Sequence, residues 1–200
     1  MSAEADRPTV RVIMTGIIVR NGASIEDASS TVSLIELGNH RIIVDTGAPN
    51  RQSELLKSLR ALDVSPESVE TVVNTHMHVD HIGGNDLFAN ARLFAHELEE
   101  PPLGTVKLSG ERTLLPGVTV VPTPGHTCGS VSVFVEGRRR HAIVGDAIPT
   151  RANFESMAPP AVHFNRNLAL RSMEAVLAWA DIVVPGHDSV FEVPRGSNNT

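Results

Sequence analysis

This chain of 200 residues contains no tyrosine, one tryptophan and one cysteine. A lone thiol, Cys128, forms no internal disulfide, so the fold must rest on its core, and the pattern suits a reducing compartment. Aromatic residues make up 4% of the chain, which leaves few platforms for stacking bases and weighs against a single-strand nucleic-acid binder. The net charge of −6 adds no general attraction for polyanions. No stretch approaches the ~20 apolar residues of a membrane span, so no membrane partner is expected. The first residues, MSAEADRPT, carry acids and no apolar run. No secretory signal is read there, and a cytoplasmic or nuclear location is expected.

The length suits one domain, residues 1–200, with 1–8 and 195–200 expected as disordered tails. Runs rich in Val and Ile read as strands: 10–19, 31–37, 41–44, 71–75, 118–123, 141–146 and 181–187. NGASIEDASS, after the first run, reads as a polar loop. Residues 50–62 read as a helix with Asn50 as its cap and Leu55, Leu56, Leu59 and Leu62 on its buried face. A second helix, 166–180, buries Ala169, Met173, Val176, Leu177 and Ala180. The loop 150–165 is expected to wall a site.

What is abundant is histidine in one place. Residues 74–84 read NTHMHVDHIGG, which sets His76, His78, Asp80 and His81 within six positions. Three later strands each run into another potential ligand: His126 in a PGH turn, Asp146 after a Gly, and His187 in a second PGH turn. Loops that follow parallel strands gather at one rim of a sheet, where sites are commonly built. A catalytic zinc takes three protein ligands and one open position, so five histidines and two aspartates are too many for one ion and enough for two. Asp146 is the natural bridge. Imidazole and carboxylate without thiolate suit zinc, iron or manganese. Gly125 and Gly186, before two of the histidines, are expected to allow tight backbone turns and close approach around the ions. His40, His96, His141 and His163 stand alone and read as ordinary surface or core residues. Cys128 reads as a small buried hydrophobe and Arg138–Arg140 as a solvated turn.

With DTG (45–47), THMHVDH (75–81), TPGHT (123–127), GD (145–146) and PGH (185–187) in this order, the chain resembles the metallo-β-lactamase superfamily. The resemblance implies an α/β fold, a four-layer αββα sandwich with a dinuclear site on one edge. It places His76, His78 and His126 on the first metal, Asp80, His81 and His187 on the second, and Asp146 between them. Asp45 resembles the family's aspartate that orients the ligands through hydrogen bonds.

The implied activity is hydrolysis by a metal-bridging hydroxide, with two divalent ions, zinc foremost, and Asp80 orienting the nucleophile and taking its proton. Among the branches, Asp146 and the bare N-terminus argue against exported β-lactamases. No glutathione-holding helical domain is expected, and the sequence has no counterpart to the tyrosine of the lactonase branch. The small single-domain type that remains favours an RNA phosphodiester, cut in the manner of an endoribonuclease. Thioester or lactone hydrolysis of the glyoxalase II kind is the alternative, and a mononuclear iron sulfur dioxygenase using His76, His126 and Asp146 is a further one. The expected partners are RNA or a small-molecule substrate, and a homodimer is admitted.

Overall fold

The computed structural model describes residues 7–22 and 24–194. Fourteen strands and four α-helices follow one another along them. The first sheet has the order β1 (Thr9–Met14), β4 (Val32–Leu37), β5 (His40–Val44), β6 (Thr71–Val73), β7 (Arg92–His96), β8 (Val106–Leu108). The second has the order β14 (Phe191–Glu192), β13 (Ile182–Pro185), β12 (Arg140–Gly145), β11 (Val131–Glu136), β10 (Val118–Pro122), β9 (Arg112–Leu115). β2 (Ile17–Asn21) and β3 (Ser24–Ser29) form a separate hairpin.

The near-continuous apolar strands are explained by burial on both faces. Alternate side chains point opposite ways along a strand, so each strand feeds two cores. Ile42 and Val44 point between the sheets, against Val133, Ile143 and Val184. Ile43, between them, points outward and packs with Leu55 and Leu59 of α1 (Gln52–Ala61). On the other side, Ala142, Val144 and Val183 pack beneath Met173 and Val176 of α4 (Arg166–Trp179). Helix, sheet, sheet and helix are thus stacked in four layers, the αββα sandwich expected. Among the described residues no helix is long and apolar enough to cross a membrane.

Several expectations need correction. The run 10–19 is two strands. Gly16 N donates to Thr31 Oγ1 at 2.9 Å, and the chain leaves the first sheet there to build the hairpin. NGASIEDASS is not all loop: Ser24–Ser29 pairs with β2, and it lacks an apolar pattern because the hairpin stands apart from both main sheets. Asn50 caps nothing; it lies in a 3₁₀ turn opened by Pro49, and α1 starts at Gln52 with only Leu55 and Leu59 buried. Residues 150–165 contain a short helix, α3 (Arg151–Glu155). The expected tails at 1–6 and 195–200 lie outside the described residues, but Pro8 is buried against Gly117 and Gly137.

Direction matters more for function than layering. β5 through β8 run parallel. β10 and β12 are both antiparallel to β11, and β13 is parallel to β12, so β10, β12 and β13 share one direction. The C-terminal ends of both parallel sets come together at one edge of the sandwich.

Candidate metal centre

Each sequence-predicted site residue lies in a turn at that edge. Asp45 follows β5. His76 and His78 follow β6, and Asp80 and His81 lie on the four-residue helix α2 (Val79–Ile82) just after them. His126 follows β10, Asp146 follows β12 and His187 follows β13. The ligand atoms fall into three overlapping groups: His76, His78 and His126; His76, His81 and Asp146; and Asp80, His81 and His187. Within each group they lie no more than 4.8 Å apart.

Hydrogen bonds on the outer side of the rings fix which nitrogen faces inward. A carbonyl or carboxylate only accepts, so a ring nitrogen bonded to one carries the proton and leaves the other nitrogen's lone pair free. His126 Nδ1 donates to Val162 O at 2.8 Å, and His187 Nδ1 to Ser29 O at 3.0 Å. His81 Nδ1 lies 2.8 Å from Asp45 Oδ2. The Nε2 atoms of all three therefore turn toward one another. His78 presents Nδ1, which lies 3.0 Å from both His76 Nε2 and His126 Nε2.

These distances test whether the residues fit a metal. Three ring nitrogens within hydrogen-bond reach share at most a proton or two, so lone pairs are left meeting lone pairs. A cation among them removes that conflict. The carboxylate tells the same story. Asp146 Oδ1 is buried without a hydrogen bond, although it lies 3.2 Å from His187 Nε2 and 3.5 Å from His81 Nε2. Its other oxygen lies 3.4 Å from His126 Nε2. Asp146 thus faces both halves of the cluster, and an unpaired buried carboxylate oxygen costs energy unless something positive meets it. The residues fit a pair of divalent ions with no thiolate ligand.

The electrostatics agree. Burial, reinforced by neighbouring imidazoles, holds His76 well below the ordinary histidine value and lowers His78 as well. Burial alone would also lower His81, but the Asp45 and Asp146 carboxylates outweigh it and lift His81 to about 10. Burial opposes and Asp146 raises His187 in the same way. Burial would raise Asp146 itself, yet His187 and His81 hold it well below the usual carboxylate range. One half of the cluster prefers neutral nitrogens and the other attracts positive charge, whether proton or metal ion.

Asp45 Oδ1 accepts from Thr75 N at 2.7 Å and Oδ2 from Thr75 Oγ1 at 2.8 Å, besides its contact with His81. Asp45 holds this place with a left-handed backbone, φ 55°. Gly186 meets the expectation of close approach, since a Cβ there would run into Asp146 Oδ1. Gly125 does not: with φ 144°, it closes against Ala169 of α4 instead of a ligand. Cys128 is exposed, its Sγ 3.3 Å from Leu98 O, so the buried-hydrophobe expectation is corrected. His40 pairs with Glu70, His96 caps the turn after β7 and His141 contacts Arg139 O, as ordinary histidines do. His163 Nδ1 donates to Pro160 O at 2.7 Å and lies outside the cavity wall.

Sequence reasoning missed residues that support the site: Thr75, through its amide and hydroxyl, and Val162 and Ser29, through their carbonyls. It also missed the hairpin. A cavity of about 250 Å³ opens onto His78, Asp80, His126, Asp146 and His187. Ile18, Ile25 and Ala28 of the hairpin and Pro149, Pro160 and Val162 supply its apolar walls. Arg20 is the one arginine or lysine among the described lining residues.

Residues 25–114 match the metallo-beta-lactamase superfamily. A probable metallo-hydrolase of Methanocaldococcus jannaschii is 33% identical, over 90% of this chain and 87% of its own. Metallo-beta-lactamase domain-containing protein 1 of Mus musculus is 36% identical, over 88% of this chain and 70% of its own. An N-acyl homoserine lactonase of a Bacillus species is 28% identical, over 82% of each chain. Among solved structures, a Thermotoga maritima protein of metallo-beta-lactamase type superposes with a TM-score of 0.79 at 25% identity, covering 93% of this chain and 99% of that one. With its αββα layers and its histidine and aspartate cluster at the sheet edge, the chain belongs to the metallo-β-lactamase superfamily as a metal-dependent hydrolase.

Proposed function

We propose that this chain is a dinuclear metallohydrolase acting on a small ester-type substrate, a lactone or thioester, with an apolar acyl part. The observation that carries the reading is the cavity. Beyond the ligand cluster, which forms its floor, its lining is apolar except for Arg20. Such a shape takes an acyl chain against the walls and sets a carbonyl on the floor. A relative named N-acyl homoserine lactonase supports the same substrate class.

In this reading His76, His78 and His126 hold one ion, Asp80, His81 and His187 the other, and Asp146 lies between them. Zinc is the favoured metal. The bound ions supply a water that ionises near neutral pH and a Lewis acid for the carbonyl oxygen. The chain does the rest. Thr75, Asp45, Val162 O and Ser29 O keep the rings aimed inward. Asp80, whose carboxylate lies 3.6 Å from His187 Nε2 and borders the cavity, takes the proton of the attacking water. The apolar walls hold the acyl part and exclude bulk water.

RNA, favoured by the sequence resemblance, finds weaker support here. A phosphodiester substrate calls for several cations along its backbone, and Arg20 is the one arginine or lysine among the described lining residues. The test is hydrolysis of an acyl lactone, an acyl thioester and end-labelled single-stranded RNA by zinc-loaded and manganese-loaded protein. His78→Ala and Asp146→Asn, prepared identically, serve as controls. Ester hydrolysis that both variants lose is the expected result. RNA cleavage without ester hydrolysis, lost in the same variants, would overturn the substrate assignment. Hydrolysis retained in full by His78→Ala would overturn the site.

A further inference from the structure

The first ligand group draws on both halves of the sandwich. His76 and His78 follow β6 of the first sheet, and His126 follows β10 of the second. Something must fix the distance between the two loops, because a metal site tolerates little error in ligand spacing. One backbone bond, Val131 N to Thr75 O at 2.8 Å, ties the strands below. At the level of the ligands the tie is a side chain, Glu99.

Glu99 ends the 3₁₀ turn Glu97–Glu99 after β7. Its Oε2 accepts from Met77 N at 3.0 Å, and Met77 lies between His76 and His78. Its Oε1 accepts from Thr127 Oγ1 at 2.6 Å and from Gly129 N at 2.9 Å, in the loop that follows His126. One carboxylate therefore clamps both ligand loops with three hydrogen bonds. The surroundings are built for it. A Cβ on residue 129 would lie 2.7 Å from Oε1 and 3.0 Å from Glu99 N, so glycine there admits the carboxylate. The turn that aims Glu99 is itself held: His96 Nδ1 accepts from Leu98 N at 3.2 Å, and Glu100 takes a left-handed φ of 50°.

We infer that Glu99 is a positioning residue that presets the spacing of His76, His78 and His126, and so governs metal affinity at that group and not at the group of Asp80, His81 and His187. The inference rests on the dinuclear reading above. The second group has supports that Glu99 does not touch: Asp45 behind His81 and the carbonyl behind His187. A carboxylate is required. Three donors converge on two acceptor oxygens; an amide offers one oxygen and turns an NH₂ donor against a donor. Supporting residues of this kind change metal affinity by ~10–100-fold when removed.

The experiment is a cobalt(II) titration of metal-free protein, followed by visible absorption and by metal content, for wild type, Glu99→Gln and Glu99→Asp. His78→Ala and Asp80→Asn identify which binding step belongs to which group. Wild type is expected to bind two ions. Glu99→Gln is expected to weaken by ~10–100-fold the step that His78→Ala removes, leaving the other step and the melting temperature near wild type. Glu99→Asp, which keeps two acceptor oxygens on a shorter arm, is expected to fall between. A Glu99→Gln isotherm that matches wild type overturns this inference alone, and so does parallel weakening of both steps with a fall in melting temperature. Wild type that binds fewer than two ions overturns the dinuclear reading along with it.

Discussion

Asp45 Oδ2 and His81 Nδ1 lie 2.8 Å apart, and the two side chains are almost wholly buried. Asp45 also accepts from Thr75 N and Oγ1, so it ties the end of β5 to the loop after β6 and to helix α2 at once. The carboxylate makes His81 a better donor toward the cavity and fixes its ring. Asp45→Asn keeps the shape and removes the charge. It is expected to lower metal affinity at the Asp80, His81 and His187 group by ~10–100-fold. Metal content after dialysis against a graded chelator reads the effect; content equal to wild type at every chelator concentration would refute it.

The same pair predicts how the metal-free protein responds to pH. His81 is raised from 6.5 to about 10 by Asp45 and Asp146, which outweigh burial, and His187 is raised in the same direction. A group whose folded pKa is raised stabilises fully below its unfolded value and loses that stabilisation as pH climbs through the folded one. The window is therefore roughly pH 6.5 to 10. His76 and His78, lowered chiefly by burial, act below 6.5, where the unfolded chain takes up protons that the fold resists. Melting temperature after chelator treatment is expected to be highest near neutrality and to fall by several degrees by pH 10. A His81→Gln variant should show a flatter alkaline limb. Identical limbs for the two proteins would count against the assignment.

Gly186 tests packing beside the same carboxylate. A Cβ at this position would strike Asp146 Oδ1 and lie 2.9 Å from Gly145 O. Both neighbours are fixed, one by the ligand cluster and one by β12. Gly186→Ala is expected to destabilise by about 1–3 kcal/mol as overpacking does, which lowers the melting temperature of a chain this long by roughly 2–12 °C. It should also impair metal binding, because the carboxylate must turn away. Calorimetry and metal content check the two halves; unchanged values for both would show that the loop relaxes freely.

These residues also mark what could be read in advance. The ligand cluster was legible because each ligand follows an apolar strand at a Gly-containing or His-rich turn, a local pattern needing no tertiary knowledge. Leu55 and Leu59 were legible as core because the helical period fixes their face. The hairpin was not. Ser24–Ser29 has few apolar residues, because it pairs only with β2 and contributes Ile25 and Ala28 to a cavity. Glu99 was equally silent, since nothing local distinguishes a surface carboxylate from one that reaches two loops remote in sequence. Support through backbone carbonyls, as from Val162 and Ser29, leaves no residue-type signal at all.

The hairpin yields the prediction closest to function. Ile18, Ile25 and Ala28 of the hairpin line the cavity beside the ligand cluster, and so does Val162. If the acyl part of an ester lies against these side chains, each added methylene gains burial until the cavity is full. Burial contributes up to about 0.8 kcal/mol per CH₂, or roughly a three- to fourfold gain in kcat/KM per carbon. A series of straight-chain acyl lactones or thioesters is expected to climb at that slope and then level off, with KM carrying the change and kcat nearly constant, because the chain is bound alike in ground and transition state. Ile25→Ser removes apolar wall without touching the ligands. It should flatten the slope while leaving hydrolysis of the shortest acyl substrate near wild type. A slope that survives Ile25→Ser and Val162→Ser together would mean that the acyl part lies elsewhere, and the hairpin would lose its role in selecting the substrate.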